Sequence, residues 1–153
     1  EMVQQTDHLT TLLNRRGYDT YISHLEGVCI IIQLDIDDFK TINDTFGHQY
    51  GDEVLRKIGE TIRVNFSKYG KCFRTGGDEF IVSIEKELAK TDELIDKFIA
   101  QMEVYRSENH NFPRISYGYA VFDSEVTDIY RVIKQAYDLM YQYKEAQKNL
   151  IQK

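Results

Sequence analysis

The chain has 153 residues, of which 42% are hydrophobic and 29% charged, the size and composition of one globular domain. Its net charge of −6 argues against nucleic-acid binding, because proteins that bind duplexes usually present a basic face to the phosphates. No apolar stretch approaches the roughly 18 residues of a membrane span, so we expect a single domain over residues 1–153 that contacts neither nucleic acid nor membrane.

The hydrophobic pattern predicts strands and core-facing helices that alternate along the chain. The β-branched run that follows Gly27 is typical of a central strand covered on both faces. The predicted order is strand, two helices, hairpin, helix, strand and helix, with the first strand at 28–34, core-facing helices at 54–62, 94–102 and 129–140, a hairpin at 71–83 that turns at Gly76-Gly77, and the last strand at 115–121. This order favours an α+β fold, a ferredoxin-like sandwich whose central, mostly antiparallel sheet is flanked by helices.

The two cysteines, Cys29 and Cys72, indicate the cellular compartment. Each lies in an apolar run without metal-ligand spacing, which is typical of a buried free thiol in a reducing compartment. The N-terminus lacks the basic and apolar regions of a signal peptide. We therefore expect a cytoplasmic domain, excised from a longer protein because the chain starts at Glu1 rather than Met. The upstream part of that protein could be anchored in a membrane.

Acidic residues follow both the first strand and the Gly-Gly turn. Asp35, at the end of the strand, would be typical of a solvated loop if it stood alone. Asp78 and Glu79 come directly after the turn, where a buried strand fixes their backbone. If the two elements are neighbours, these carboxylates could hold two divalent metal ions, which polarise a phosphoryl group and activate a hydroxyl nucleophile.

Several motifs together resemble the GGDEF family of diguanylate cyclase domains. The matching segments are Asp7-His8-Leu9-Thr10, Leu13-Asn14-Arg15-Arg16, Asp35-Ile36-Asp37-Asp38-Phe39-Lys40-Thr41-Ile42-Asn43-Asp44, Gly47-His48, Gly51-Asp52, Arg74-Thr75-Gly76-Gly77-Asp78-Glu79-Phe80, Ile115-Ser116-Tyr117-Gly118, Tyr141-Gln142-Tyr143-Lys144 and Lys148-Asn149. They occur in the family's order along nearly the whole chain, and the combination is highly specific. The resemblance implies the nucleotidyl-cyclase-like form of the predicted sandwich.

The resemblance also implies an activity. Such domains condense two GTP molecules into cyclic di-GMP and release two pyrophosphates, with Mg²⁺ or Mn²⁺ as cofactor. The active site forms across a homodimer, and an upstream sensory or regulatory module is expected as a partner. Two alternatives stay open: a degenerate, non-catalytic nucleotide-binding GGDEF module, and a related cyclase that makes a mixed GMP-AMP dinucleotide.

Matching positions imply roles for individual residues. Asp35 and Asp78 would bind the metal with the Ile36 carbonyl, and Glu79 would lie near a second metal. Asp78 is the first candidate for the general base and Glu79 the second. The implied substrate-binding residues are Asn43 and Asp52 for guanine, Lys40, Lys144 and Lys148 for the triphosphate, and Phe39, Gly76 and Gly77 around the phosphates.

The sequence departs from the family pattern at three places. Lys148 stands where the family prefers arginine. Lysine keeps the positive charge but cannot make the bidentate contact of a guanidinium. Tyr137 stands where the final helix often has aspartate. The segment Ser67-Lys68-Tyr69-Gly70 replaces an Arg-x-x-Asp tetrad that binds the product in many relatives. We therefore expect that this product-inhibition site is missing.

Overall fold

The computed structural model describes residues 4–152. The elements in chain order are α1 (Arg15–Ser23), β1 (Val28–Ile36), α2 (Phe39–Phe46), α3 (His48–Phe66), β2 (Gly70–Arg74), β3 (Glu79–Ile84), a 3₁₀ turn (Leu88–Lys90), α4 (Thr91–Glu108), β4 (Ile115–Asp123) and α5 (Ile129–Gln152). From β1 onward this order confirms the predicted one. No helix among these residues has the length and apolar character needed to cross a bilayer.

The four strands form one antiparallel sheet in the order β2-β3-β1-β4. Strand β1 therefore lies inside the sheet, and both of its faces are covered, as its apolar run predicts. One face packs under α2, α3 and α4, and the other under α1 and α5. The predicted α+β, ferredoxin-like sandwich is confirmed.

Helix α5 approaches strand β4 closely because the facing residues of β4 are small. Ser116, Gly118 and Ala120 are buried on that face. A side chain at Gly118 would overlap backbone atoms of Met140 and Ala136, so glycine permits this contact. The alternation of large residues predicted β4 correctly, but Tyr117 and Tyr119 are only half-buried on the opposite face. The close packing fixes the backbone of α5 one turn before Lys144.

Helix α1 was not predicted from the sequence. Its N-cap is Asn14, whose side chain accepts a hydrogen bond from the Gly17 amide at 3.0 Å. Only Tyr18 and Ile22 carry large side chains into the core, one turn apart. Two apolar positions in nine residues are too few for a clear helical periodicity.

The segment before α1 runs along the outer strand β2. The Leu13 amide donates to the Cys72 carbonyl at 3.1 Å, and the Arg74 amide donates to the Leu13 carbonyl at 2.7 Å. Leu13 thus makes a short parallel bridge with Phe73. Cys72 and Cys29 are both buried free thiols, as predicted.

Candidate active site

The acids that the sequence singled out meet at one end of the sheet. Asp35 lies near the end of β1 and is paired in register with Glu79 at the start of β3. The Ile36 amide donates to the backbone carbonyl of Asp78 at 3.1 Å, which attaches the Gly-Gly turn to the end of β1. The predicted proximity of Asp35 to the two turn acids is therefore present in the structure.

Asp35 lies in an environment that disfavours its negative charge. Burial raises the pKa of Asp35 to about 6. Lys144, whose Nζ is 3.3 Å from Asp35 Oδ2, opposes that rise, whereas the charges of Asp78 and Glu79 add to it. The arrangement is one that a further cation would stabilise.

The donor atoms at this end of the sheet are those that Mg²⁺ prefers. Asp35 and Asp78 offer carboxylate oxygens and Ile36 a carbonyl oxygen, and Mg²⁺ is usually held by one or two carboxylates together with substrate phosphates. Within residues 4–150, no group of three His, Cys, Asp or Glu side chains is arranged to hold a metal on its own. The residues present fit a metal that binds together with a nucleotide.

Glu79 is held more firmly than Asp78. Its Oε1 accepts from Thr75 Oγ1 at 2.6 Å and its Oε2 from Gln33 Nε2 at 3.0 Å. Arg15 Nη1 lies 3.9 Å from Oε1. The Asp78 carboxylate, by contrast, accepts no hydrogen bond from the residues that the structure describes. Asp78 is thus the acid with free acceptor capacity.

An ion pair anchors the Gly-Gly turn to the N-terminal segment. Arg74 Nη2 donates to the Gly77 carbonyl at 2.9 Å, and Arg74 Nη1 donates to Asp7 Oδ1 at 3.1 Å. Asp7 Oδ2 also accepts from the Thr10 amide at 2.9 Å and from the Thr10 hydroxyl at 2.7 Å. The sequence motifs include Asp7 and Arg74 but do not reveal this role, because the two residues are 67 positions apart.

Replacing Asp7 with asparagine is expected to destabilise the fold by about 2 kcal/mol, because Arg74, with 17% of its side chain exposed, loses its charged partner. Burial acts to raise the pKa of Asp7, but hydrogen bonds from Thr10 and the Arg74 charge outweigh it and lower the pKa. The stabilisation of the fold by the Asp7–Arg74 pair is therefore complete above the pKa of Asp7 in the unfolded chain, about 3.9. It disappears as the pH falls through the lower pKa that Asp7 has in the folded protein. Urea denaturation of both proteins at pH 7 and pH 3 measures the difference, and an equal difference at both pH values would contradict the assignment.

Asn43, one of the two implied guanine-binding residues, lies against the turn of α3 that carries the other, Asp52. Gly51 precedes Asp52 in α3, and any side chain at Gly51 would overlap Asn43 Oδ1. The glycine therefore allows the Asn43 amide to lie against α3 beside Asp52. Both residues are half-buried, which leaves part of each side chain open to a ligand.

A cavity of about 290 Å³ lies beside the acids, between the β1–α2 loop, α5 and the segment before β4. Its lining includes Asp37 and Asp38 of the loop and both lysines that the motifs implicate, Lys144 and Lys148. An acidic loop facing basic side chains suits a phosphate group that arrives with a divalent cation.

Six of the eight implied substrate-binding residues do not line this cavity: Phe39, Lys40, Asn43, Asp52, Gly76 and Gly77. The Lys40 side chain is 92% exposed, and its Nζ lies 3.7 Å from Asp44 Oδ2. The Phe39 side chain is buried in the core, so only its backbone at the start of α2 is available to a ligand. Gly76 and Gly77 lie at the exposed tip of the turn, and no atom would contact a Cβ at Gly77 within 4 Å.

Comparisons with known proteins show the family to which this chain is similar. Residues 4–150 match the family model "Diguanylate cyclase, GGDEF domain". The chain is 30% identical to diguanylate cyclase DgcS of Shewanella oneidensis, over 94% of this chain and 50% of that protein. It is 33% identical to diguanylate cyclase DosC of Escherichia coli K12, over 95% of this chain and 34% of that protein. The chain thus spans half or less of the length of these relatives.

A solved structure has the same architecture. The crystal structure of the GGDEF domain of DgcB from Caulobacter crescentus, in complex with c-di-GMP, superimposes with a TM-score of 0.82 at 26% identity, covering 95% of this chain and 93% of that one. The match includes the antiparallel sheet and its flanking helices. With the family model covering nearly every described residue, the chain belongs to the GGDEF family of diguanylate cyclase domains.

Proposed function

We propose that this domain condenses two molecules of GTP into cyclic di-GMP and releases two pyrophosphates. The observation that carries the proposal is the placement of Asp35 beside the turn acids, next to a cavity lined by Lys144 and Lys148. Acidic donors for a divalent cation and basic groups for a polyphosphate are what phosphoryl transfer requires. Asp35, Asp78 and Glu79 are all present, which argues against a degenerate, non-catalytic module.

In the proposed complex, one GTP binds to each protomer. Asn43 and Asp52 hydrogen-bond the guanine, since a carboxylate can accept from both the N1–H and the exocyclic amino group. Lys144 and Lys148 neutralise the phosphates from α5, Lys40 reaches them from solvent, and the backbone at Phe39 donates from the start of α2. Gly76 and Gly77 leave space for the nucleotide to approach the turn.

The proposed chemistry is attack of a ribose 3′-hydroxyl on the α-phosphorus of the other nucleotide. The new P–O bond forms as the bond from the α-phosphorus to pyrophosphate breaks, and Asp78 accepts the hydroxyl proton. Glu79, oriented by Thr75 and Gln33, is the second candidate for this base. Mg²⁺ or Mn²⁺, held by Asp35, Asp78 and the Ile36 carbonyl, would lower the pKa of the hydroxyl and neutralise phosphate charge.

The proposed active unit is a two-fold homodimer. Each product needs two attacks, and an isologous dimer makes them equivalent by symmetry. Holding both nucleotides in line also replaces an encounter between free molecules with a step inside one complex.

The proposed setting is the cytoplasm, with residues 1–153 as one domain and a regulatory module as its partner in the longer protein. The buried free thiols Cys29 and Cys72 support a reducing compartment. The four strands within residues 4–152 form one sheet and the helices pack on its two faces, which supports a single domain.

Identifying the products by mass tests the proposed activity. The purified domain is incubated with Mg²⁺ and GTP, and the expected products are cyclic di-GMP and pyrophosphate. GTP binding without product would favour the non-catalytic module. A mixed dinucleotide as the main product from equimolar GTP and ATP would favour the related cyclase.

Cyclic di-GMP is expected not to inhibit this domain through a separate site before the hairpin. A side chain at Gly70 would overlap the Ser83 carbonyl, so aspartate does not fit there, and Lys68 is an exposed cation without the arginine fork. Calorimetric titration of cyclic di-GMP, together with progress curves of turnover, measures this. Submicromolar binding outside the active site, with inhibition that added GTP does not overcome, would contradict the expectation.

A further inference from the structure

Two arginines and two lysines line the cavity beside the acids: Arg106, Arg114, Lys144 and Lys148. The family motifs account only for the two lysines. Lys144 contacts Asp35, and Lys148 Nζ lies 3.9 Å from Glu145 Oε2. Lys144 therefore has an acidic neighbour at the proposed metal site, and Lys148 has one on α5.

The two arginines differ in how the protein engages them. Arg106 Nε donates to the Phe112 carbonyl at 3.2 Å, and its Nη1 lies 3.4 Å from Glu103 Oε1. Across residues 4–150, the Arg114 guanidinium has no hydrogen-bond partner and no carboxylate within 4.0 Å. Arg106 therefore has a structural role in the α4–β4 connection, whereas the donors of Arg114 are free.

Arg114 is also fixed in place and partly desolvated. It directly precedes β4, and its carbonyl accepts from the Asp37 amide at 2.9 Å, which ties its backbone to the β1–α2 loop. The residue is half-buried. The Asp37 carboxylate, which shares the cavity, accepts from Ser116 Oγ at 2.7 Å instead of from Arg114. A half-buried guanidinium with unused donors favours an anionic ligand in the cavity.

We propose that Arg114, from the segment that precedes β4, binds the terminal phosphates of the nucleoside triphosphate. The inference rests on the proposed function, because it takes GTP as the substrate. The planar guanidinium can donate two parallel hydrogen bonds to a phosphate, which an ammonium at Lys148 cannot do. Arg114 thus supplies the bidentate contact that α5 lacks in this chain.

Calorimetry with two ligands tests the role of Arg114. One ligand is a GTP analogue whose α–β bridging oxygen is a methylene group, so that it cannot release pyrophosphate, and the other is GMP; both are titrated with Mg²⁺ present. Arg114→Ala is expected to weaken binding of the analogue about tenfold and to leave GMP binding within twofold of the parent. Arg114→Lys should recover part of the loss, because it restores charge without the fork.

Arg131→Ala is the matched control, because it removes the same charge from an exposed position on α5 outside the cavity. Equal binding of the analogue by Arg114→Ala and the parent, or an equal loss for GMP, would overturn the proposal. Arg114→Gln, which keeps most of the side-chain length, replaces the alanine variant if that variant does not fold. A parent that binds the analogue but makes no cyclic di-GMP from GTP would overturn the proposed activity while leaving the Arg114 comparison decisive.

Discussion

Replacement of Asp78 by alanine is expected to lower cyclic di-GMP production by about 10³-fold, which corresponds to roughly 4 kcal/mol of lost transition-state stabilisation. The variant loses a proposed metal ligand and the proposed general base in one change. The fold should persist, because the Asp78 side chain is half-buried in the turn and accepts no hydrogen bond from residues 4–150, while its backbone carbonyl still accepts from the Ile36 amide. Initial rates at saturating Mg²⁺ and GTP measure the effect.

The matched control for that experiment is Asp96→Ala, which removes an exposed carboxylate on α4, away from the turn. It should keep the parent's rate, and thermal unfolding of both variants checks that they are folded. If folded Asp78→Ala retained activity within tenfold of the parent, the proposed role of this carboxylate would be wrong.

GTP is expected to be preferred over ATP by about 2–4 kcal/mol, because Asp52 would pair with both hydrogens on the guanine edge. Adenine presents a lone pair at N1 to the same carboxylate, which would leave the half-buried negative charge without a donor. In the proposed complex, Asn43, which lies against the residue before Asp52, would bind the neighbouring edge of the base. Rates of product formation from GTP alone and from ATP alone give the preference directly.

Asp52→Ala should reduce that preference, chiefly by slowing the reaction of GTP. Glu53→Ala is the natural comparison, since it removes the next carboxylate along α3, which is exposed. A preference that is unchanged in Asp52→Ala, or a parent that uses ATP as well as GTP, would remove Asp52 from base recognition.

The central strand and the hairpin could be predicted from sequence because each depends on local pattern. The buried run at 28–34 and the Gly76-Gly77 turn determine where Asp35 and Asp78 leave the sheet. Their proximity then follows from the antiparallel pairing of β1 with β3. The family motifs supply Lys144, which helix α5 brings to Asp35 across 109 positions of sequence.

Other features depend on contacts that no local pattern encodes. The Arg74–Asp7 pair and the hydrogen bond from Gln33 to Glu79 each join polar residues from distant segments, 67 and 46 positions apart. Helix α1 gains its stability from packing against the sheet rather than from its own periodicity. That the Arg114 guanidinium has no partner among residues 4–150 follows from how the α4–β4 connection folds over the β1–α2 loop.

The bridge between Leu13 and β2 also protects the sheet from intermolecular association. An outer strand presents unpaired amide and carbonyl groups that can bind a strand of another molecule. In this domain the Cys72 carbonyl and the Arg74 amide are already bonded to Leu13. A version of the domain that begins after residue 13 would expose both groups beside the buried side chain of Phe73, and strand-to-strand aggregation through β2 is the expected consequence.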